Sequence, residues 1–475
     1  MSAASLEERL SAAPSVRVSR RALKGAGKAW VVGGAIRDAL LGEPVGDADL
    51  AVVPGDEKSA AREIARAAEG SAFALSEEHS TWRAISAEGW HVDVVALRAE
   101  TIADDLKARD FTVNAIAIPL PGGEPIDPTG GLADAESRRL RVASERAFEQ
   151  DPLRLLRAVR IGARHDLRIT DETASRARAA AAHAADPAGE RQFAELRGIV
   201  GGPRPLEALR LMDELELTAV VLPELEALRG VVQNPNHHLD VLGHTLKVLE
   251  EWLAIESDLP SFAGELAGAA SAFLAEPLAD ELTRSEALRF GAVFHDLGKP
   301  ETRAEGGGYV TFIGHDQVGA RITAEVCRRF RTSRRLSTHL QGLALHHLRL
   351  GFLIHQRPLS RRTVYEYLRA TEPVCADVTL LSAADRLAAR GTGPIAGPEM
   401  IEAHLELARE MLADALAWHS EGPPDPPLSG DELASELGVA PGPEMGRLLE
   451  ELRAATFAGE IADRAQALEL ARELH

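Results

Sequence analysis

Strand-like sequence is confined to the first third of the 475-residue chain. From about residue 28 to 142, short apolar runs alternate with a helix-like stretch: AWVVGG, ADLAVV, WRAISAEGWHVDVVAL and FTVNAIAIPL around DEKSAAREIARAAEG. From about residue 145 onward, apolar residues recur at helical spacing and strand signals nearly vanish. This change of period predicts an α+β chain, in which an N-terminal mixed α/β head with a small β-sheet precedes all-helical segments.

Turn-forming residues divide the helical part. GGPRP at 201–205, QNPN at 233–236 and GGG at 306–308 separate helical patterns, and EGPPDPP at 421–427 has the composition of a linker. We predict four segments: a head over residues 1–145, a helical neck over 146–228, a helical domain over 229–395 and a helical tail over 396–475.

The chain is acidic, with a net charge of −20, so its overall field repels nucleic acid and anionic membrane. A polyanionic partner must therefore bind a local basic surface or a bound metal. Only Cys327 and Cys375 occur, which argues against a disulfide scaffold and a cysteine-rich zinc site. The N-terminus lacks the apolar core of a signal peptide, and no apolar run approaches the roughly 20 residues of a membrane span. These features predict a soluble cytoplasmic protein without a membrane partner.

Two carboxylates interrupt the apolar run GDADL. In a strand, Asp47 and Asp49 point to the same face, and two like charges ionise together comfortably only around a cation. Hard oxygen ligands favour Mg²⁺, and Asp93 in HVDVVALR is a candidate third carboxylate.

A glycine pair precedes these carboxylates. Gly33 and Gly34 let the backbone approach a ligand closely, and the following AIRDALLG resembles a helix start whose N–H groups receive phosphate. Either motif alone is more often a loop or turn. Together they predict metal-assisted attack on a nucleoside triphosphate.

Five motifs in order carry a family resemblance. GGAIRD, GDADLAV, RDFTVNAIA, IDPTGGLADAESRRLRV and DPLRLLRAVR resemble the motifs of bacterial class II nucleotidyltransferases, densely over residues 28–230 and more loosely beyond. That family contains tRNA CCA-adding enzymes, CC- and A-adding enzymes and bacterial poly(A) polymerases. The resemblance implies untemplated addition or repair of the tRNA 3′-terminal CCA from CTP and ATP, with two Mg²⁺ ions on Asp47 and Asp49.

The resemblance also implies roles for individual residues. The triphosphate, sugar and base contacts fall on Gly33, Gly34, Arg37, Arg109, Asp110, Asn114, Asp151 and Arg154, with Arg157 and Arg160 as further nucleotide-binding candidates. Asp127, Gly130 and Gly131 match a hinge-like segment, and Glu190 and Arg191 are candidates for supporting the base readers. Gln150 departs from the family, which often has glutamate there.

The chemistry of the base-reading pair supports this assignment independently. On a helix, Asp151 and Arg154 would share a face, as residues i and i+3 do. A carboxylate accepts from an exocyclic amine and a guanidinium donates to ring acceptors, so the pair could read the edge of C or of A.

A second constellation resembles the HD-domain metal-dependent phosphohydrolases, most clearly at AVFHDLGKP. Its candidate ligands are His244, His295, Asp296, His315, His346 and Asp385. Such a set suits Mn²⁺, Ni²⁺, Co²⁺, Fe²⁺ or Zn²⁺, which would activate water against a phosphoester. Whether this site is catalytic or structural stays open, and His237, His238 and His347 are assigned to packing or RNA contact.

Two basic segments are candidates for binding the tRNA acceptor region. CRRFRTSRRL supplies Arg328, Arg329, Arg334 and Arg335, and SRRTVYEYLR at 360–369 mixes arginine with tyrosine. A solvated surface is an equally good interpretation of either segment.

Several alternatives remain open at the level of sequence. The first is a poly(A) polymerase or a partial CC- or A-adding enzyme, distinguished by the region between Asp49 and Asp93 around SEEHSTWRA. The second, from another class, is an HD-domain phosphohydrolase whose head serves as an RNA-binding module. The oligomeric state, monomer or homodimer, is also open.

Overall fold

A computed structural model describes residues 3–25, 28–76, 80–307 and 309–475. These residues form two compact units: one comprises the chain up to residue 199 and residues 203–221, and the other comprises residues 200–202 and 222–475. The named strands of the six-stranded sheet all lie before residue 120, and long helices dominate the rest, which confirms the predicted α+β class. The finer division into head, neck, helical domain and tail stays a prediction.

The first unit is built on a six-stranded sheet of order β3-β4-β5-β2-β1-β6. Its strands are β1 (Ala29–Val32), β2 (Ala48–Val52), β3 (Ser71–Ser76), β4 (Thr81–Ile85), β5 (His91–Ala96) and β6 (Ala117–Pro119). β2 and β5 run parallel, and the other neighbouring strands are antiparallel. In this register Asp49 lies directly beside Asp93.

Because side chains alternate along a strand, the two faces of the sheet pack against different apolar clusters. Val31 and Leu50 face a large apolar core, whereas Val32 and Ala51 belong to a smaller cluster on the other face. Asp49 has the same parity as Ala51, so its carboxylate leaves the large core free of charge.

Helices surround this sheet and continue the first unit. They are α1 (Ala3–Ala12), α2 (Pro14–Ala22), α3 (Gly34–Leu41), α4 (Glu57–Ala67), α5 (Ile102–Lys107), α6 (Gly131–Glu136), α7 (Ala147–Gln150), α8 (Arg154–His165), α9 (Asp171–Ala180), α10 (Gly189–Val200), α11 (Pro205–Glu214) and α12 (Thr218–Val221). Single-turn 3₁₀ helices lie at Thr112–Asn114 and Ala181–His183, and the short strands β7 (Arg139–Leu140) and β8 (Arg168–Ile169) pair in parallel.

The second unit is mainly helical. Its helices are α13 (Pro223–Glu226), α14 (Val241–Ser257), α15 (Leu259–Ala263), α16 (Ala267–Leu274), α17 (Arg284–Phe294), α18 (Lys299–Thr302), α19 (His315–Arg329), α20 (Arg334–His346), α21 (Arg349–Leu353), α22 (Arg361–Ala370), α23 (Cys375–Ala388), α24 (Pro398–Glu421), α25 (Gly430–Leu437), α26 (Pro443–Ala458) and α27 (Arg464–Leu474). Two hairpins, β9 (Pro277–Ala279) with β10 (Leu282–Thr283) and β11 (Ala304–Gly306) with β12 (Tyr309–Thr311), interrupt them, and 3₁₀ turns lie at Gly264–Leu266 and Ile354–Gln356.

Local sequence explains several helix starts in this unit. Thr283 and Glu286 form a reciprocal capping box at α17, and Ser429 and Glu432 form another at α25. Beyond residue 427, α25–α27 share a small apolar core that includes Leu433, Leu448 and Leu452.

No helix within the described ranges combines the length and apolar character that crossing a bilayer requires.

Candidate functional site

The carboxylate pair lies at the start of β2. Asp47 immediately precedes the strand and Asp49 is its second residue. The backbone N–H of His91 donates to Asp47 Oδ1 at 2.8 Å. Burial raises the pKa of Asp49, Arg109 partly offsets this effect, and Asp93 raises the pKa further. Oxygen ligands whose ionisation is hindered by burial and a neighbouring carboxylate fit a divalent cation.

Asp93 is engaged by an arginine. Arg83 on β4 donates from Nε and Nη2 to the two oxygens of Asp93, at 2.7 and 2.8 Å. The structure therefore brings Asp93 beside Asp49, as expected, but places its charge opposite a guanidinium. Its role as a third metal ligand stays a prediction.

Gly33 forms the turn between β1 and α3. Its backbone has φ 72° and ψ −130°, a conformation that favours glycine. A Cβ added here would lie 3.1 Å from Arg109 Nη1 and 3.4 Å from Asp49 Oδ2. The glycine thus lets the turn that opens α3 at Gly34 lie against both a carboxylate and a guanidinium.

A series of hydrogen bonds connects Arg37 in α3 to Arg157 in α8. Arg37 Nη1 donates to Asn114 Oδ1 at 2.9 Å, and Asn114 Nδ2 donates to Asp110 Oδ1 at 3.1 Å. Arg157 Nη1 in turn lies 3.4 Å from Asp110 Oδ2. Burial raises the pKa of Asp110, but Arg157 and the hydrogen bonds from Asn114 and the Phe111 backbone outweigh it, so the pKa lies below its usual value. Asp110 is therefore a carboxylate at neutral pH.

The expectation that Asp151 and Arg154 share a helix face is wrong. Asp151 has extended backbone, with φ −149° and ψ 99°, and α8 begins only at Arg154. The reason is Pro152, since the proline ring disfavours helical conformation at the residue that precedes it and pushes that residue to extended backbone. The backbone N–H of Leu153 donates to Asp151 Oδ1 at 3.2 Å. A turn, rather than a helix surface, presents the pair.

The two base-reading candidates have different partners. Arg154 Nη2 donates to the carbonyl of Ala108 at 3.1 Å, and Arg191 Nη2 donates to Asp151 Oδ2 at 3.0 Å. Arg191 thus contacts a base reader, as its predicted supporting role requires. Each candidate keeps groups for hydrogen bonding to a base, because a guanidinium has five N–H donors and a carboxylate two oxygens.

Sequence reasoning missed Glu195. Its side chain is buried and accepts from Arg157 Nε at 3.0 Å and from Arg160 Nε at 2.6 Å. Gly198 makes room for this contact, since a Cβ there would lie 2.2 Å from Arg160 Cδ. Glu195 lies four residues before the buried Ile199 and therefore on the same face of the helix. A charged residue on an apolar helix face was the sequence feature that could have identified it.

Asp105 was missed as well. Its carboxylate is buried, lies 3.4 Å from Arg109 Nε and accepts from the backbone N–H of Arg98 at 3.0 Å. Asp105 therefore orients the guanidinium that lies against Gly33.

The side chain of Asp127 caps the start of α6 in the hinge-like segment. Asp127 accepts from the backbone N–H groups of Gly131 and Leu132 at 2.8 and 2.9 Å. A Cβ at Gly131 would lie 2.0 Å from the carbonyl oxygen of Thr112, so only glycine fits there. Whether the segment bends during the reaction stays a prediction.

The second unit brings most of the predicted metal ligands together. Ligand atoms of His244, His295 and Asp385 lie within 4.8 Å of one another, and so do those of Asp296, His315 and His347. His244 Nε2 is 3.0 Å from Asp385 Oδ1, and Asp296 Oδ2 is 3.1 Å from His295 Nε2. The two groups adjoin through His295 and Asp296.

His347 takes the place that we predicted for His346. Consecutive residues of a helix point about 100° apart, so only one of the two can face the cluster. His346 Nδ1 accepts a hydrogen bond from Arg349 Nε at 2.9 Å, whereas His347 Nε2 lies 3.3 Å from His315 Nε2. The choice of His346 is therefore corrected to His347, which we had assigned to packing or RNA contact.

The cluster fits a metal. His295, His315 and His347 each direct Nδ1 at a carbonyl three residues earlier, at 2.9, 2.7 and 2.7 Å, which leaves Nε2 for a ligand. Within the described part of the chain, both oxygens of buried Asp296 lack a hydrogen bond of good geometry, although Lys299 Nζ lies 2.7 Å from Oδ2. Such orphaned oxygens among imidazoles form a suitable donor set for a divalent cation.

The two basic segments differ in their surroundings. Arg328 and Arg329 end α19, and Arg334 and Arg335 begin α20, but Arg329 pairs with Glu224 at 2.8 Å.

The arginines of segment 360–369 all have acidic partners. Arg361 pairs with Asp414 at 2.8 Å, Arg362 with Glu451 at 3.1 Å, and Arg369 with Glu450 at 2.9 Å. This segment is therefore a weaker candidate for RNA contact than the first.

The predicted specificity region is only partly visible. Residues 77–79 of SEEHSTWRA lie outside the described residues, Ser76 ends β3, and residues 81–84 belong to β4.

Three family models match the chain. Residues 29–141 match the "Poly A polymerase head domain", residues 269–390 the "HD domain", and residues 166–228 the "Probable RNA and SrmB- binding site of polymerase A".

Curated relatives cover most of the chain. It is 33% identical over 440 residues to the A-adding tRNA nucleotidyltransferase of Deinococcus radiodurans, which covers 91% of this chain and 92% of the relative. It is also 33% identical over 448 residues to the CC-adding tRNA nucleotidyltransferase of Thermus thermophilus, at 92% of each chain. A multifunctional CCA protein of Xanthomonas campestris is 32% identical over 437 residues, at 86% of this chain and 96% of the relative.

The fold is similar to that of the Bacillus stearothermophilus CCA-adding enzyme in complex with CTP. The TM-score is 0.62 at 22% identity, over 97% of this chain and 98% of that one. At this identity the likeness concerns the fold alone.

Proposed function

This chain belongs to the family of tRNA nucleotidyltransferases and poly(A) polymerases, and we propose that it adds or repairs the 3′-terminal CCA of tRNA from CTP and ATP. It is a nucleotidyltransferase. The observation that carries the proposal is the approach of Arg109 and Asp49 to the Gly33 turn, together with the hydrogen bonds that lead from Arg37 through Asn114 and Asp110 to Arg157 of α8.

The residues of the chain divide the work of binding the nucleotide. The Gly33-Gly34 turn and Arg37 would hold the triphosphate, because backbone N–H groups and a guanidinium match phosphate oxygens. Asp151 and Arg154 would read the base, since a carboxylate accepts from the exocyclic amine of C or A and a guanidinium donates to ring acceptors. No nucleic-acid template is needed for this selection.

Asp47 and Asp49 are the residues that would hold Mg²⁺ in the head, with Asp93 as a further candidate. A metal bound there would lower the pKa of the tRNA 3′ hydroxyl and neutralise charge on the triphosphate, so that pyrophosphate can leave. Burial raises the pKa of Asp49, but the positive charges of Arg109 and Arg37 oppose this rise and so favour its ionised, metal-binding form.

Length-resolved extension tests the proposal. Transcripts of tRNA that end before, within or just short of CCA are incubated with Mg²⁺ and CTP, ATP or both. Addition of two C and one A, followed by a stop, supports it. A long ladder with ATP on any RNA would instead establish a poly(A) polymerase. Asp47→Ala should abolish extension, whereas Asp104→Ala, which removes an exposed carboxylate paired with Lys107, should not.

A partial reaction is the second candidate, because two of the relatives are A-adding and CC-adding enzymes at 33% identity. The same assay separates these cases, since addition of C alone or of A alone would place the chain in a shared pathway.

We also propose a metal-dependent phosphohydrolase activity for the HD domain, with Mn²⁺, Ni²⁺, Co²⁺, Fe²⁺ or Zn²⁺ on His244, His295, Asp296, His315, His347 and Asp385. The two groups of ligand atoms, in each of which the atoms lie within 4.8 Å of one another, support it. Hydrolysis of a cyclic phosphodiester to its phosphomonoester should be lost in Asp296→Ala and kept in Asp47→Ala. Loss in both variants, or in neither, would contradict a separate site.

A further inference from the structure

A buried histidine connects the far ends of the two helices that carry the nucleotide contacts. His165 is the last residue of α8 and is 2% exposed. Its Nδ1 lies 2.9 Å from both carboxylate oxygens of Glu43, which follows Gly42 at the end of α3. α3 begins at Gly34 in the phosphate-binding turn, and α8 begins at the base-reading Arg154.

The opposite ends of the same helices are connected through the nucleotide site. Arg37 in α3 bonds Asn114, and Arg157 in α8 contacts Asp110, which accepts from Asn114. These hydrogen bonds connect α8 to α3 at one point only. The contact of His165 with Glu43 supplies a second point, and two separated points fix the direction of one helix relative to the other.

A further contact holds the end of α8. Arg138 Nη1 donates to the carbonyl oxygen of His165 at 3.0 Å. The histidine is therefore fixed by its backbone as well as by its ring, so a displacement of Glu43 would be transmitted to the helix.

The charges around the ring argue for positioning rather than for metal binding. Asp38, Glu43 and His165 have the spacing of metal ligands, and His165 Nε2 lies 3.9 Å from Asp38 Oδ1. However, Arg37 donates to that same oxygen from Nε and Nη2, at 2.9 and 2.7 Å. A guanidinium already neutralises Asp38, and the ring directs one nitrogen at each carboxylate rather than converging with both on one point.

We propose that His165 is a positioning residue of the nucleotidyl-transfer site: its hydrogen bond to Glu43 fixes α8 relative to α3 and so sets the distance between Arg154 and the triphosphate held at Arg37. The inference rests on the proposed function. A nucleotide bridges these two points through its base and its triphosphate, so loosening the connection should weaken binding of CTP and of ATP alike.

Two substitutions separate the hydrogen bond from the volume of the ring. In His165→Asn the amide nitrogen stands near the position of Nδ1 and can still donate to Glu43. In His165→Gln it stands near the position of Nε2 and faces Asp38. Glu43→Gln weakens the acceptor from the other side. KM and kcat for CTP and ATP, the Kd for tRNA and the Tm are measured for each variant of the full chain.

We expect His165→Gln to raise KM for both nucleotides about tenfold with little change in kcat, because a hydrogen bond to a charged group is lost. His165→Asn should stay within about threefold of the wild type, and the double variant His165→Gln/Glu43→Gln should be no worse than His165→Gln. The Kd for tRNA should not change. His183→Gln, which alters an exposed histidine paired with Asp186, is the matched control.

Equal KM values for the wild type and His165→Gln would overturn the inference, as would equal defects in His165→Gln and His165→Asn. Activity losses that follow the Tm alone would overturn it too. A wild-type protein that transfers no nucleotide would overturn the proposed function itself, which is a distinguishable result.

Discussion

The Nε2 atoms of His315 and His347 lie 3.3 Å apart in the interior of the second unit. Each ring directs Nδ1 at a backbone carbonyl, and because a carbonyl only accepts, Nδ1 carries the proton. Burial lowers the pKa of His347 to about 3, so this ring is neutral at pH 7 and presents a lone pair. A cation beside Asp296 would accept this lone pair, and the close approach of the two nitrogens would then serve coordination.

His347→Ala should therefore lower the transition-metal content of the purified protein at least about tenfold, as losing a ligand does. The neighbouring His346→Ala should retain the metal, because His346 contacts Arg349 instead. Elemental analysis after dialysis measures both. Equal metal contents in the two variants would contradict the assignment.

Asp49→Asn should reduce nucleotide addition by about 100- to 1,000-fold, since removing one electrostatic contact to a transition state costs about two to three orders of magnitude. Burial already raises the pKa of Asp49, so the amide is tolerated structurally. Single-turnover addition of CMP to tRNA measures the loss. Unchanged hydrolysis of a cyclic phosphodiester to its phosphomonoester would show that the second unit is intact.

Glu195→Gln should destabilise the first unit by about 1–3 kcal/mol, because it leaves Arg157 and Arg160 without their shared buried carboxylate. Urea unfolding measures the change. Glu149→Gln is the matched control: Glu149 and Arg146 are 66% and 75% exposed, so their pair should contribute less than about 1 kcal/mol. Equal effects of both substitutions would refute a structural role for Glu195.

His404 should make stability depend on pH. It is buried beside Ser382, with Nε2 3.0 Å from the hydroxyl, and burial lowers its pKa to about 4. Between that value and the ordinary value of about 6.5, the unfolded chain binds the proton and the folded chain does not, so stability rises with pH across this window.

His404→Gln should accordingly reduce the difference in free energy of unfolding between pH 5 and pH 7 by about 2 kcal/mol. Urea unfolding at the two pH values measures it. An undiminished difference would show that His404 is protonated in the folded chain.

Arg334→Ala and Arg335→Ala should each weaken tRNA binding and reduce the slope of log Kd against log salt by about one. Both begin α20 in the basic segment that we predict to contact phosphates. Arg357→Ala is the control, because Arg357 already pairs with Glu406 and Glu410 within the unit. Identical salt slopes in all three variants would remove this segment from the tRNA contact.

Patterns local in the chain predicted much of this structure. The alternation around Asp49 and the glycines at the start of α3 fix a strand and a turn within a few residues, so the sequence predicted β2 and the turn at Gly33. The helical period beyond residue 145 likewise predicted the helices of the second unit.

Contacts between distant segments were beyond such patterns. Glu195 contacts Arg157, which lies 38 positions earlier in the sequence. No local pattern around either residue predicts this pairing. The choice between His346 and His347 depends on the rotation of one helix, which a pair of adjacent histidines leaves undetermined. Asp151 shows a different failure, because helical spacing was assumed although Pro152 forbids it.

The backbone at Gly33 has a consequence for how this chain can vary. Its positive φ disfavours any side chain, and the space beside it belongs to Arg109 and Asp49. The positive φ and the lack of space are linked constraints. A change of backbone conformation that accommodated a larger residue would also move the turn away from the carboxylate of Asp49. In a library randomised at codon 33 and selected for activity, we expect glycine alone to survive. Position 33 should therefore be invariant both in engineered variants and in evolution.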